Sequence, residues 1–331
     1  GTLAFAVLSI ADRFSPSRVF LISALVAAGF NLVVLWDGNT FTTLLSSRFF
    51  TGFCLAGIYP VGMKIAADHF SVGLGKSLGY LVGALVLGTA FPHLLKGLGT
   101  ELPWQQIILL TSGLALTGGV LIGTLVPDGP HRSVGGKTDL RAFFQVFRYP
   151  DFRRAAFGYF GHMWELYTFW AFVPVLLLAY QELHPGYDIN ISFWSFLIIA
   201  SGSISCVLGG YLAQRLGAKK TAIGFLSLSA LCCLGLPLCF YVSSLTLFLA
   251  YLLIWGMAVV ADSPLFSTLV ALNAPPTIKG TALTIVNCIG FAITIVSIQV
   301  ITWLAGTYDG EWVYALLAIG PVLGLLGLRL G

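Results

Sequence analysis

Apolar runs of about 20 residues, long enough to cross a hydrocarbon layer as helices, follow one another almost without a break through this chain. They fall near residues 18–36, 41–67, 73–97, 104–126, 155–181, 191–213, 219–242, 244–271, 278–305 and 312–329, with a partial run at 1–11. Charged residues make up 9% of the 331 and hydrophobic residues 57%, whereas a soluble domain carries about 25% charged residues. A soluble fold of this size could not cover its surface with so few charges. The chain therefore reads as an all-α polytopic membrane protein.

The net charge of +4 does not indicate a nucleic-acid partner, because its distribution follows the spans. Arg13, Arg18, Lys64, Lys76, six basic residues of the 127–154 segment, Arg215, Lys219, Lys220, Lys279 and Arg329 fall on one side. Lys96 alone falls on the other, where Asp37, Glu101, Glu182, Asp188, Asp309 and Glu311 lie, and Arg48 is inside a span. Basic loops are retained on the cytoplasmic side, so the expected C-terminus is cytoplasmic. Cys54, Cys206, Cys232, Cys233, Cys239 and Cys288 sit in apolar runs without metal-like spacing and read as small buried hydrophobes. No cofactor and no metal site are implied. In the polar 127–154 segment, Leu140–Phe147 has the pattern of a helix lying on the membrane surface.

The chain also repeats. Gly209-Gly-Tyr-Leu-Ala-Gln-Arg-Leu-Gly-Ala-Lys-Lys220 has a weaker copy in Leu8-Ser-Ile-Ala-Asp-Arg-Phe-Ser-Pro-Ser-Arg18. Asp12 and Gln214, Lys76 and Lys279, and Pro60 and Pro264 are separated by 202, 203 and 204 residues. A common offset across apolar sequence indicates a duplicated helical bundle in a membrane. The expected division is an N-terminal bundle at 1–126, a cytoplasmic linker at 127–154 and a C-terminal bundle at 155–331.

These loops resemble the signature of the major facilitator superfamily, Gly-x-x-x-Asp-Arg-x-Gly-Arg-Lys, with a second, weaker copy in the other half. Gly210, Arg215, Gly217, Lys219 and Lys220 fit the second copy, with Gln214 at the acidic position. Asp12, Arg13 and Arg18 fit the first, where Leu8 and Ser15 replace the glycines. The resemblance implies two pseudo-symmetric six-helix bundles rocking about a central site. Counted in that scheme the chain lacks helix 1 and part of helix 2, in keeping with an opening on Gly1 inside an apolar run. Gly158-Tyr-Phe-Gly-His-Met-Trp-Glu-Leu-Tyr-Thr-Phe-Trp170, Ala261-Asp-Ser-Pro264 and Gly280-Thr-Ala-Leu-Thr284 are similar to a bacterial subgroup often labelled nitrate/nitrite or cyanate-type transporters. Nitrate porters of the family use arginines in helices 2 and 8, and Ile191 to Ala213 contains none.

Three formal charges lie well inside spans: Arg48, Glu165 and Asp262. Each costs about 2.5–3.5 kcal/mol at a helix centre on insertion scales, so they should face the interior, a water-filled cavity or one another. His162, Glu165 and Phe169 share one helix face, flanked by Trp164 and Tyr167. Glu165 is a candidate proton carrier with His162 as its partner; substrate contact and structural pairing are the other readings. Asp262 lies two residues before Pro264, which weakens the helix and frees a carbonyl, so proton site, gate and structural pair all stand. Arg48 resembles the buried helix 4 arginine of the family, without the family's following Gln, and suits an anionic substrate, a neighbouring acid or a structural pair. Asn287, with Tyr59, Trp170, Trp255 and Gln299, completes the polar cavity candidates. Asp12, Arg13, Arg18, Arg215, Lys219 and Lys220 form a candidate conformational latch, since a pair made in one state biases a two-state equilibrium.

The expected function is secondary active transport of a small polar, anionic solute, coupled to protons, by a monomer in a bacterial inner membrane. The partners are the solute, protons and the lipid bilayer, not nucleic acid. A drug/proton antiporter and a non-transporting receptor of the same fold are the alternatives. No nucleophile–base pair, metal cluster or phosphate loop appears at a usable spacing, so an enzyme is not expected.

Overall fold

The computed structural model describes residues 1–97, 103–133, 145–308 and 310–330, and every regular element among them is helical. The partial run at the start is two short helices, α1 (Thr2–Val7) and α2 (Ile10–Arg13). Ser9 joins them at φ 50°, a left-handed conformation uncommon for a residue with a side chain. The remaining helices are α3 (Pro16–Val33), α4 (Phe41–Leu55), α5 (Tyr59–His69), α6 (Leu74–Gly97), α7 (Trp104–Leu125), α8 (Pro150–Leu183), α9 (Ile191–Leu216), α10 (Ala218–Cys239), α11 (Leu245–Ala261), α12 (Ser263–Asn273), α13 (Lys279–Thr307) and α14 (Ile319–Leu330). Taking α4 with α5, α11 with α12, and the 3-10 turns before α13 and α14 with those helices, 10 segments among the described residues are long and apolar enough to cross a membrane. Most of the expected surface helix at Leu140–Phe147 lies outside the described residues, as do Lys137, Arg141, Glu101 and Asp309.

Two spans are broken, each just before a proline. Between α4 and α5 the backbone tightens, with Ala56, Gly57 and Ile58 each donating to the carbonyl three residues back. Between α11 and α12 the break falls at Asp262, whose carbonyl accepts from Leu265 and Phe266. Pro60 and Pro264 lack the N–H that would continue the helix. Pro92, Pro174 and Pro237 instead lie within continuous helices. Elsewhere the ends follow local chemistry. Thr40 and Thr43 form a reciprocal capping box at the start of α4, and Asn190 caps α9 by accepting from the Phe193 N–H at 3.0 Å. Gly217 turns α9 into α10 at φ 85°, which explains a glycine there.

Contacts group the residues by packing rather than by chain order. One unit comprises Gly1–Val72, Glu101–Tyr149 and Ala271–Cys288. In it α3 packs against α4, α5 and α7, and Ala11, Val19 and Val61 form a small core with Phe5, Ile10, Phe20 and Ile65. Only 11% of the apolar window of α7 is buried. The other unit comprises Gly73–Thr100, Pro150–Val270 and Ile289–Gly331. There α6 runs along α9 with backbones almost touching: a Cβ on Gly79 would lie 2.6 Å from the Cys206 carbonyl oxygen. Small residues permit such an approach. α8 packs against α14 in the same way, through Gly161, Gly320 and Gly324.

Candidate functional site

Asp12 is fully buried at the end of α2. Its two oxygens accept from the backbone N–H groups of Gly280 at 2.9 Å and Thr281 at 2.6 Å. These belong to the first turn of α13, where N–H groups have no helical partner and the helix dipole favours an anion. Lys64, also fully buried, lies 3.5 Å from Asp12 and 2.7 Å from Asp68. One cation is thus held between two carboxylates on α2 and α5. The segment after α7 closes over the same place: the His131 N–H donates to the Asp68 carbonyl at 3.0 Å, and Ser15 donates to Asp128 at 2.7 Å. Of the other latch candidates, Arg13, Arg18, Arg215, Lys219 and Lys220 are exposed. Arg13 lies over the Phe14 ring, and Arg18 lines an apolar pocket with Phe14 and Ile22.

α8, α10 and α11 build a second cluster in the other unit. Glu165 is 1% exposed, and all its hydrogen-bonding neighbours are neutral. Trp255 Nε1 donates to its Oε1 at 2.6 Å, the Ser229 hydroxyl donates to the same oxygen, and the Cys233 thiol is a third neighbour. Phe169 closes the site by packing on Trp255 at 4.3 Å between ring centroids. Three residues earlier on α8, His162 Nδ1 lies 2.8 Å from Asp262 Oδ1, both groups buried. His162 Nε2 has no hydrogen-bond partner among the described residues, while the backbone at Asp262 and Ser263 supports the Asp262 carboxylate. The break at Asp262 therefore holds a histidine–carboxylate pair with unused hydrogen-bonding capacity on the histidine side.

Tyr167 is half-buried and packs edge-on against Trp170 at 5.1 Å and Phe291 at 5.8 Å. Asn287 is buried and donates to the Leu283 carbonyl at 2.8 Å. Arg48 is exposed and donates to Asn31 Oδ1 at 2.7 Å, while the Asn31 amide reaches Ser112 at 2.8 Å, so the arginine tops a polar track through α4, α3 and α7. Arg48 makes no ion pair among the described residues. The sequence reading missed Lys64 as a partner of Asp12, although its four-residue spacing to Asp68 is a readable signal. It missed Ser229 and Cys233 beside Glu165, which carry no such signal. Among the described residues no three His, Cys, Asp or Glu side chains gather as a metal site.

The sequence pattern of the Major Facilitator Superfamily matches residues 1–298. The uncharacterized MFS-type transporter YuxJ of Bacillus subtilis is 24% identical over 301 residues, covering 85% of this chain and 73% of that protein. The human organic anion transporter MFSD10 superposes with a TM-score of 0.71 at 19% identity, covering 99% of this chain and 82% of its own. The Escherichia coli fucose:proton symporter FucP gives 0.70 at 13% identity, covering 99% and 85%. A bacterial homologue of the iron transporter ferroportin, in an outward-facing state, gives 0.67 at 17%, covering 99% and 86%. At these identities the likeness in structure establishes a shared fold.

Proposed function

The chain belongs to the Major Facilitator Superfamily, and from that premise we propose a secondary active transporter that moves a small polar, anionic solute with protons by alternating access. The observation that carries the reading is Glu165, a fully buried carboxyl on a membrane helix whose partners are all neutral. A buried intramembrane acid is costly and is kept where it handles protons or ions. Its partners can serve either protonation state, since a carboxyl that gains a proton still has an oxygen for Trp255 and Ser229. His162 and Asp262 lie one helical turn away and form a second station for the same proton. Tyr167, beside Trp170 and Phe291, is assigned to solute contact in the same unit as Glu165, and Asn287 to solute contact in the other unit.

Arg48 supports the anionic solute, because among the described residues its charge is met by the neutral Asn31 and by no carboxylate. Two proteins of similar fold carry different cargo by name, an organic anion and fucose with a proton, so the fold leaves the solute open. We assign the latch to Asp12 and Lys64. Their network, anchored on the first turn of α13, holds one conformational state and releases when that turn moves. Arg13, Arg18, Arg215, Lys219 and Lys220 serve mainly to fix the basic face in the cytoplasm of a bacterial cell.

The test is uptake into proteoliposomes under an imposed proton gradient, with a panel of small anions, neutral solutes and cationic drugs. Gradient-driven uptake of one anion is expected, with Glu165→Gln losing the dependence on the gradient. Undiminished proton-driven uptake by Glu165→Gln would remove the coupling role. Transport of cationic drugs alone would remove the anionic solute.

A further inference from the structure

On an exposed face of the α6–α9 pair, Lys76 Nζ lies 4.6 Å from the centre of the Tyr211 ring. The Tyr211 hydroxyl is 3.1 Å from that of Tyr80. Both tyrosines are exposed, at 43% and 52%. Lys76 makes no ion pair among the described residues, so an aromatic face holds a cation that no carboxylate neutralises. The two hydroxyls share one hydrogen bond, which leaves one O–H free to donate outward. Arg215 lies one turn beyond Tyr211 on α9, is exposed, and adds a second positive charge at that end of the pair.

Away from this charged end the same helix faces become apolar. Leu87 lies two turns beyond Tyr80, about 10 Å along the axis, and Leu208 lies one turn from Tyr211 on the other helix. They are 48% and 54% exposed. Because α6 and α9 touch along their glycines, the two exposed stripes flank a shallow seam rather than a gap. We propose that this seam binds one anionic phospholipid, with its phosphate against Lys76, Tyr80, Tyr211 and Arg215 and an acyl chain along Leu87 and Leu208. The cation selects a negative headgroup, the free hydroxyl donates to its phosphate, and the apolar stripe at acyl depth selects a lipid over a free anion.

The proposal is tested on the purified protein in detergent, by native mass spectrometry and thermal melting. Phosphatidylglycerol is compared with phosphatidylcholine of the same acyl chains, and with soluble glycerol phosphate. Phosphatidylglycerol is expected to bind more tightly and raise the melting temperature further. Lys76→Ala should weaken phosphatidylglycerol binding about fivefold and leave phosphatidylcholine binding unchanged, while Lys76→Arg keeps the preference. Arg215→Gln, on the exposed last turn of α9, gives the same reading if Lys76→Ala lowers the yield of folded protein. Equal binding of the two lipids, or a preference untouched by these substitutions, would overturn the proposal. Stabilisation by glycerol phosphate matching that by phosphatidylglycerol would overturn it too, in favour of a site for free anions.

Discussion

Lys64 is a fully buried cation whose charge is balanced within one helix turn of space by Asp12 and Asp68. Removing one partner of a buried ion pair costs about 3–5 kcal/mol, because the other charges stay buried without compensation. Lys64→Met should therefore lower the melting temperature in detergent strongly. Lys64→Met combined with Asp68→Asn should recover part of the loss, since only Asp12 then remains charged, and it keeps the first turn of α13. Asp12→Asn should cost less than Lys64→Met, because its amide oxygen can still accept one of the two N–H bonds. An equal melting temperature for Lys64→Met and the wild type would show that the network carries no stability. At this scale the sequence was legible where a charge stood out from its surroundings: Asp12 in a basic loop, Glu165 and Asp262 in apolar runs. Their partners were not. Ser229 and Trp255 meet Glu165 from 64 and 90 residues away, and no local pattern marks a serine or a tryptophan among many as the one that a fold brings to a carboxyl.

Glycines on one helix can be opposite in effect, and α6 offers the comparison. A Cβ on Gly79 would fall 2.6 Å from the backbone oxygen of Cys206, whereas one on Gly88 would meet nothing within 4 Å. Backbone cannot yield as a flexible side chain can, so Gly79→Ala should separate α6 from α9 and destabilise by about 1–3 kcal/mol. Gly88→Ala should be neutral, or stabilise by up to about 1 kcal/mol through its gain in helix propensity. Thermal melting of the two variants side by side checks the contrast, and a matching loss in both would contradict this account of the packing. The spans themselves were readable because apolar length alone defines a membrane helix. Their interruptions were less so. Hydropathy runs straight through residues 56–58 and 262, and only Pro60 and Pro264, at equivalent places in the repeat, hint at a break. Nor does hydropathy see α8 beginning at Pro150, because its first turn is polar: Asp151, Arg153 and Arg154, with Asp151 and Arg154 paired at 3.0 Å.

For the whole molecule, the ten segments among the described residues that are long and apolar enough to cross a membrane do not say which way up the chain sits. The basic loops decide that, since Arg215, Lys219 and Lys220 are exposed at the α9–α10 turn and the segment after α7 is basic, while the α8–α9 loop carries Asp188 and no Lys or Arg. Because basic loops are retained in the cytoplasm, we propose that Arg329 lies inside and the α8–α9 loop outside. Reporter fusions test this directly. A fluorescent protein that matures only in the cytoplasm, fused after Gly331, should fluoresce, and the same reporter fused after Tyr187 should stay dark. Alkaline phosphatase, active only outside, should give the reverse pattern at the two sites. Opposite results at both would invert the molecule and overturn this orientation.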